Sequence, residues 1–219
     1  MPNVETASRL AGAYMDADVP AFLWGAPGIG KSDAVRALAA ARGLPLIDLR
    51  AILLDPVDLR GLPAVSGDRA IWTRPDFLPD VDRDGPAGVL FMDELNAAPQ
   101  SVQAACFGLV LDRRLGEYRL PDGWRIIAAG NRATDRAAAG RMPSALANRF
   151  AHVDVEPDPE TARAYWIRNG FPPELPAFIA FRPELLHRMP ETPDVRAFPS
   201  PRAWSAVARI LSAPLADLP

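Results

Sequence analysis

Residues 25–32 read Gly25-Ala26-Pro27-Gly28-Ile29-Gly30-Lys31-Ser32, a series of spaced glycines that ends in a lysine and a hydroxyl. An apolar run, Val19–Trp24, precedes this stretch, and a run of good helix formers, Ser32–Arg42, follows it. Glycines between a strand and a helix let successive backbone N–H groups converge on an anion, helped by the positive end of the helix. The stretch therefore predicts a phosphate loop within an α/β fold.

Lys31 is the only lysine of this chain, and the other 23 of its 24 lysine and arginine residues are arginine. In a phosphate loop the lysine ammonium reaches the β- and γ-phosphates, and the following hydroxyl, here Ser32, is a ligand of Mg²⁺. A planar guanidinium would fit that cradle poorly. We expect ATP or ADP to be held by Gly25, Ala26, Pro27, Gly28, Ile29, Gly30, Lys31, Ser32 and Asp33.

The overall composition is that of a folded protein, with 219 residues, 49% of them hydrophobic and 23% charged. No run approaches the ~18 apolar residues that a membrane helix needs, so no membrane contact is expected. The segment Met1–Val19 has no apolar core, so no signal peptide is expected. Together with the single Cys106, this favours a reducing, cytoplasmic location. His152 and His187 lie far apart without a nearby cysteine, so both are expected to be structural or solvent-facing rather than zinc ligands.

Short apolar runs alternate with helical patterns through the first 155 residues, and Ser101–Leu111 is the clearest of the later helices. This alternation predicts an α/β fold with a parallel five-stranded sheet flanked by helices. The five expected strands are Val19–Trp24, Leu44–Leu49, Val89–Met92, Trp124–Ala129 and His152–Val155.

Two segments depart from this alternation. Asp55–Asp84 is rich in proline and glycine, and its Leu62–Val65 and Ala70–Thr73 flank a Ser-Gly-Asp turn, which predicts an inserted hairpin. From residue 157 onward only helices are expected, over Asp158–Asn169, Pro173–Met189 and Pro201–Ser212. We therefore expect a nucleotide-binding domain over residues 1–156 and a small helical domain over 157–219, truncated at its abrupt end.

Two acids follow the apolar run Val89–Met92, which has the character of a strand buried on both faces. A phosphate loop needs a distant carboxylate for its metal at the end of a buried strand, and Asp93 has that position. Glu94, the next residue, is placed to orient and polarise an attacking water. Two adjacent acids after a phosphate loop therefore indicate hydrolysis.

Asn131 follows another apolar run, Trp124–Ala129, and the turn residue Gly130. In a parallel sheet of this kind its amide would emerge beside the γ-phosphate. The alternative is that Asn131 is only a turn residue after Gly130 and does not contact the phosphate.

Four motifs occur here in the order found in the AAA-plus ATPases: GAPGIGKS, VLFMDELN, IIAAGNR and MPSALANRF. The chain most resembles the MoxR-like branch of that family, over roughly residues 4–212. The resemblance implies a phosphate-loop α/β domain, a helical lid and assembly into a ring, usually a hexamer. The stretch LDPVDLRGLP…IWTRPDFLP resembles that branch's insertion in the second helix. One departure is Ala97, where branch members tend to carry a basic residue, so no contact between subunits is inferred there.

Three side chains take roles by this resemblance. Asn131 resembles the sensor-1 residue, and Arg202 resembles the sensor-2 arginine that the lid carries onto the nucleotide. Arg149 resembles the arginine finger, which acts on the γ-phosphate bound by a neighbouring subunit and contributes on the order of 10³-fold to phosphoryl transfer. Arg141 and Arg136 are rival fingers in the preceding loop.

The favoured function is that of a Mg²⁺-dependent ATPase in a homo-oligomeric ring that remodels or assembles a protein client or adaptor. A nucleic-acid motor or loader is the alternative, with Arg113, Arg114 and Arg119 around a Leu115–Leu120 hairpin that could face a ring pore. The net charge of -3 weighs against it. A third possibility is a nucleotide-switched scaffold with little turnover, against which the presence of Glu94 and Asn131 counts.

Overall fold

The computed structural model describes residues 1–135, 140, 142–190 and 197–213. None of the helices in these ranges is long and apolar enough to cross a membrane. In chain order the elements are α1 (Val4–Asp16), β1 (Ala21–Trp24), α2 (Lys31–Ala41), β2 (Leu46–Arg50), α3 (Pro56–Arg60), β3 (Pro63–Ser66), β4 (Arg69–Trp72), α4 (Val81–Asp84), β5 (Ala87–Asp93), α5 (Gln100–Asp112), β6 (Arg114–Leu115), β7 (Tyr118–Arg119), β8 (Gly123–Gly130), α6 (Ser144–Ala147), β9 (Ala151–Asp154), α7 (Pro159–Arg168), α8 (Glu174–Phe181) and α9 (Pro201–Leu211).

Five parallel strands form the central sheet in the order β2-β5-β8-β1-β9. The predicted α/β fold with five parallel strands is therefore confirmed. Because the strands are parallel, all their carboxyl ends lie along one edge of the sheet, the carboxyl edge, and all their amino ends along the opposite amino edge. The phosphate loop and Asn131 follow β1 and β8, and Asp93 is the last residue of β5, so the fold places all three at the carboxyl edge.

Helices cover both faces of the sheet, because alternate residues of each strand point to opposite sides. Val89 and Phe91 of β5 lie with α1 and α2 on one face. Leu90 and Met92 lie with α5 on the other face, where the core also includes Cys106. The strand is thus buried on both sides, which explains its continuous apolar sequence.

The inserted hairpin consists of β3 and β4, which pair antiparallel with Ser66 opposite Arg69. Gly67 occupies the turn with φ +65, a conformation that glycine adopts without strain. The two short helices α3 and α4 flank this hairpin in the chain. A second small hairpin, β6–β7, follows α5 close to its predicted position, with Leu115 and Tyr118 buried in the core.

The C-terminal helices α7, α8 and α9 share a separate apolar cluster built from Trp166, Leu175, Ile179, Leu186 and Ala208. The prediction of one helix over Pro173–Met189 was wrong, since α8 ends at Phe181. Pro183 disfavours helical geometry in the residue before it, and Arg182 accordingly leaves the helix with φ -130 and ψ 66. The domain boundary after residue 156 and the truncation of the second domain stay predictions.

Helix α1 was not predicted from the sequence. Its buried face is made of the small residues Ala7, Ala11 and Gly12 together with Met15, so only one large apolar side chain marks this face in the sequence. The signal that was available is the cap at Asn3, whose side chain accepts a hydrogen bond of 2.9 Å from the backbone N–H of Thr6.

A substitution at Gly88 tests how closely the sheet core is packed. A methyl group there would lie 2.7–2.8 Å from three carbon atoms of the Trp124 ring, which is fully buried. Gly88→Ala should therefore destabilise the protein by about 1–3 kcal/mol in urea unfolding.

Gly12→Ala is the matched control, since the added methyl meets only the ends of long side chains, Arg42 Nη2 at 2.9 Å and Leu38 Cδ1 at 3.3 Å, and no ring or backbone atom within that range. Alanine is also the better helix former, so this variant should be about as stable as the wild type. Equal stability of the two variants would contradict the packing described for β5 and β8.

Candidate functional site

The phosphate loop, residues 25–32, joins β1 to α2 and turns through two glycines in the left-handed region, Gly28 with φ +79 and Gly30 with φ +102. Helix α2 begins directly afterwards at Lys31. The first N–H groups of a helix have no partner within the helix and carry partial positive charge. The loop and the helix end together therefore form a cradle suited to an anion.

The ammonium group of Lys31 is almost fully buried, with 8% of the residue exposed. Its Nζ atom donates to Gly25 O at 2.5 Å, to Ala26 O at 3.0 Å and to Asn131 Oδ1 at 3.1 Å. Burial lowers the pKa of Lys31 to about 8, and the carboxylate of Asp93 opposes that shift. The lysine thus links the phosphate loop to the end of β8.

Ser32 and Asp93 meet at the same edge, where Ser32 Oγ donates a hydrogen bond of 2.6 Å to Asp93 Oδ2. Hydroxyl and carboxylate oxygens are the hard ligands that Mg²⁺ takes alongside water and phosphate. The donor set at this point fits that ion.

Glu94 is exposed and adopts φ +56, an uncommon conformation for a residue other than glycine. Its N–H donates to Asp93 Oδ1 at 3.0 Å. Its carboxylate has no hydrogen bond or ion pair with any residue that the structure describes. Unusual backbone geometry of this kind concentrates at functional sites, and here it leaves the carboxylate accessible.

The chain after Asn131 is fixed by charge pairs. Arg132 donates to both carboxylate oxygens of Asp135, at 3.1 Å each, and to Glu156 at 2.5 Å. Hydrogen bonding to Glu156 and Asp135 raises the pKa of Arg132 well above its usual value. Asn131 therefore leaves β8 into a segment that is tied to the end of β9.

The C-terminal helices contact the phosphate loop directly. The N–H of Arg202, in the first turn of α9, donates to Gly28 O at 3.1 Å. A methyl group on Gly28 would lie 2.8 Å from Ser200 Oγ, so glycine is needed here for space as well as for its φ angle. The positive charge of Arg202 also contributes to the lowered pKa of Lys31.

Both histidines have contacts that sequence reasoning did not find. His187 Nε2 lies 3.3 Å from Pro27 O, across 160 positions of sequence, and burial lowers the pKa of this histidine. His152 Nδ1 accepts a hydrogen bond of 2.8 Å from Trp24 Nε1, which is a structural role. No sequence signal marks the contact of His187, because the separation is long and no motif surrounds it.

Arg149 does not join the other predicted site residues. It is exposed and precedes β9, whose first residue, Ala151, pairs with Ala21 at the start of β1. Arg149 therefore lies at the amino edge. The length of β1, about 10 Å, separates this edge from the phosphate loop. The rival fingers Arg136 and Arg141 lie outside the described residues.

Asp33 lies in the first turn of α2, and its carboxylate pairs with Arg36 at 3.0 Å. Of the remaining predicted contacts, the side chains of Ala26 and Ile29 are buried beneath the loop. Only the backbone of these two residues is therefore available to a ligand.

The family model for the AAA domain, dynein-related subfamily, matches residues 20–150. A relative of known sequence is midasin from Giardia intestinalis, which is 30% identical over 188 residues, covering 81% of this chain and 4% of that protein. The chain thus spans a small part of that relative.

Two solved structures share the fold. A candidate ATPase from Cytophaga hutchinsonii ATCC 33406 superposes with a TM-score of 0.52 at 20% identity, covering 75% of this chain and 50% of that one. NtrX from Brucella abortus in complex with ADP superposes with a TM-score of 0.56 at 16% identity, covering 98% and 50%. At these identities the likeness shows the fold alone.

The lowered pKa of Lys31 predicts unusual reactivity for the one lysine of this chain. Amines are acylated only in their neutral form, so the rate at Lys31 should be half-maximal near pH 8 in the folded protein and near pH 10.5 in the urea-unfolded chain. Peptide mass spectrometry after acetic anhydride treatment at a series of pH values measures both profiles. Bound ATP should protect the folded protein. Identical folded and unfolded profiles would contradict the burial of this ammonium.

Proposed function

This chain belongs to the AAA domain family, in its dynein-related subfamily, and on that premise we propose that it binds ATP with Mg²⁺ and hydrolyses it. The supporting observation is that four side chains converge at the carboxyl edge of the sheet. Ser32 is hydrogen-bonded to Asp93 at 2.6 Å, and Lys31 is hydrogen-bonded to Asn131 at 3.1 Å. An ammonium, two hard oxygen ligands and a neutral amide beside a helix end are the groups that a triphosphate with its metal requires.

Nucleotide binding would begin at the phosphate loop. The N–H groups at the start of α2 would donate hydrogen bonds to the phosphate oxygens. The ammonium of Lys31 would donate to the β- and γ-phosphates in place of the carbonyl oxygens that it now contacts. Arg202 adds a second positive charge from α9, so the nucleotide would hold α9 against the loop. NtrX from Brucella abortus, which shares the fold, has been solved in complex with ADP, which supports nucleotide binding by this chain.

Ser32 and Asp93 would hold Mg²⁺, which supplies positive charge to neutralise the phosphate oxygens as charge shifts during transfer. The hydrogen bond between the two side chains keeps their oxygens 2.6 Å apart before the ion binds.

In the hydrolytic step, Glu94 accepts a hydrogen bond from water and orients it toward the γ-phosphorus. A bond forms between the water oxygen and the γ-phosphorus while the bond from that phosphorus to the β–γ bridging oxygen breaks, which gives ADP and inorganic phosphate. The carboxylate of Glu94 accepts the proton that the water loses and then releases it to solvent. Asn131 donates its amide N–H to a γ-phosphate oxygen, while its Oδ1 atom remains with Lys31. The accessible carboxylate of Glu94 supports this role.

The position of Arg149 supports a site shared between two subunits. An arginine at the amino edge serves a nucleotide at the carboxyl edge only when another copy brings its own amino edge there. Repetition of that head-to-tail contact closes a ring. We propose a homo-oligomeric ring, a hexamer by its MoxR-like resemblance, with residues 157–219 as the lid.

The partner in this proposal is a protein client or adaptor that the ring remodels in the cytoplasm. The inserted hairpin supports it through its exposed apolar side chains, among them Val65 with 86% and Trp72 with 47% exposure. The nucleic-acid alternative has less support. Arg113 donates to Pro121 O and Trp124 O at 2.7 Å each, so this arginine is engaged within the fold. ATP turnover that stays unchanged when DNA is added would favour the protein client over the nucleic-acid alternative.

The role of Glu94 predicts a trapped state. Glu94→Gln should bind ATP with the affinity of the wild type but hydrolyse it about 100-fold or more slowly, because the amide is a poor base. Lys31→Ala is the control that should lose nucleotide binding altogether. Fluorescent-nucleotide titration and phosphate release measure the two properties. Normal turnover by Glu94→Gln would rule out the assigned base.

Mixing two inactive variants tests the shared site. Arg149→Ala should bind ATP normally and lose turnover by about 10³-fold. Added Glu94→Gln subunits should restore turnover, because they supply Arg149 to neighbours that retain Glu94. Adding the double variant instead of Glu94→Gln should restore nothing. Arg9→Ala, an exposed arginine on α1, is the control for loss of charge. No recovery in the mixture would contradict action between subunits.

A further inference from the structure

A buried side-chain amide, that of Asn96, connects the ends of two strands at the site. Asn96 lies two positions after Glu94, in the short turn Leu95–Ala97, and only 1% of it is exposed. Its Nδ2 atom donates to Asn131 O at 2.9 Å and to Gly140 O at 3.4 Å. One side chain thus joins the turn that carries Glu94 to the residue beyond β8.

This connection begins where the strand pairing stops. The pairing of β5 with β8 extends only to Met92 opposite Ala128. Asp93 and Glu94 on one side, and Asn131 on the other, lie beyond the paired region. The amide of Asn96 therefore supplies the cross-strand hydrogen bond that the backbone no longer makes at the level of the candidate catalytic groups.

Gly130 accommodates this amide. A methyl group on Gly130 would lie 2.0 Å from Asn96 Oδ1 and 2.8 Å from Asn96 Cγ. Both atoms are close enough to exclude any side chain larger than hydrogen. Gly130 is thus required because Asn96 packs against it, and not because its own backbone adopts a turn conformation.

Gln103 of α5 donates hydrogen bonds to the backbone of the same turn. It is also 1% exposed, and its Nε2 atom donates to Ala98 O at 2.9 Å and to Asn96 O at 3.3 Å. Burying an amide costs free energy where a polar atom stays unpaired, as Asn96 Oδ1 and Gln103 Oε1 do among the described residues. Apolar side chains would fill the same space without that cost. Two buried amides on one turn therefore indicate a requirement for precise geometry.

We propose that Asn96 is a positioning residue that sets the placement of Glu94 relative to Asn131, and through them the alignment of water with the γ-phosphate. Gln103 supports it by fixing the backbone on which Asn96 stands. This inference rests on the hydrolysis proposed above, although its effect on nucleotide discrimination does not require turnover.

The chemistry of the amide explains why asparagine serves here. Its two N–H bonds reach two carbonyl oxygens, of Asn131 and Gly140. A leucine of similar size has no donor, and an aspartate would place negative charge against both oxygens. Only a short side chain with an N–H donor meets the distance and the sign of charge.

The first test separates positioning from binding. Asn96→Ala should lower kcat for ATP by about 10- to 100-fold, because small misplacements of catalytic groups have effects of that size. The KM for ATP should stay within about twofold of the wild type. Asn169→Ala is the matched control, since it also removes an amide that donates to a carbonyl, at 2.8 Å, but on the exposed surface of α7. An unchanged kcat, or a raised KM at constant kcat, would overturn the proposal.

The second test uses binding alone. In the Glu94→Gln background, Asn96→Ala should reduce the preference for ATP over ADP, since Asn131 would no longer be held beside the γ-phosphate, while the ADP affinity stays unchanged. A preserved preference would refute the proposal even if turnover fell. If the wild type bound both nucleotides without hydrolysing ATP, the proposed hydrolysis would fail, and this ratio would still decide the role of Asn96.

Gln103→Leu guards against a variant that does not fold. It leaves both hydrogen bonds of Asn96 Nδ2 in place and removes only the support beneath the turn. We expect a smaller fall in kcat in the same direction, with a normal KM and an intact melting transition. Wild-type kcat in a folded Gln103→Leu protein would count against the proposal.

Discussion

The buried ammonium of Lys31 is the constraint on which the rest of the site depends. A positive charge with 8% exposure needs acceptors, and it finds them in the carbonyls of Gly25 and Ala26 and in the amide oxygen of Asn131. These acceptors belong to the phosphate loop and to the end of β8, so the lysine fixes one against the other. The parallel sheet makes this possible, because only parallel strands bring all their carboxyl ends to one edge.

The two edges of the sheet divide the proposed chemistry. The carboxyl edge holds the phosphate loop, Asp93 and Glu94, while Arg149 stands at the amino edge with a strand's length between them. In the proposed mechanism these groups are complementary halves of one site, and they do not meet within one copy. Assembly therefore becomes part of the proposed catalytic mechanism, and the C-terminal helices, which contact Gly28 through Arg202, would lie next to the proposed nucleotide site.

The strands and the pair Ser32–Asp93 were predictable because continuous apolar runs, glycines and acids are local signals. The contact of α9 with Gly28 joins residues far apart in sequence without any periodic pattern, so only the resemblance of Arg202 to the sensor-2 arginine pointed to this part of the site. Helix α1 was missed because alanines form its buried face, and α8 was predicted too long because Pro183 was not given enough weight. No role was predicted for Asn96 from the sequence, and only its burial and its hydrogen-bond partners give it one.

The central claim is that one copy of this chain holds an incomplete ATPase site which a second copy completes. Steady-state ATP turnover per subunit, measured against protein concentration alongside sizing with and without an ATP analogue, tests that claim most directly. The account predicts that turnover per subunit rises with concentration and reaches a plateau as the assembled species becomes dominant. Turnover per subunit that is constant down to concentrations at which the protein is a monomer would contradict it.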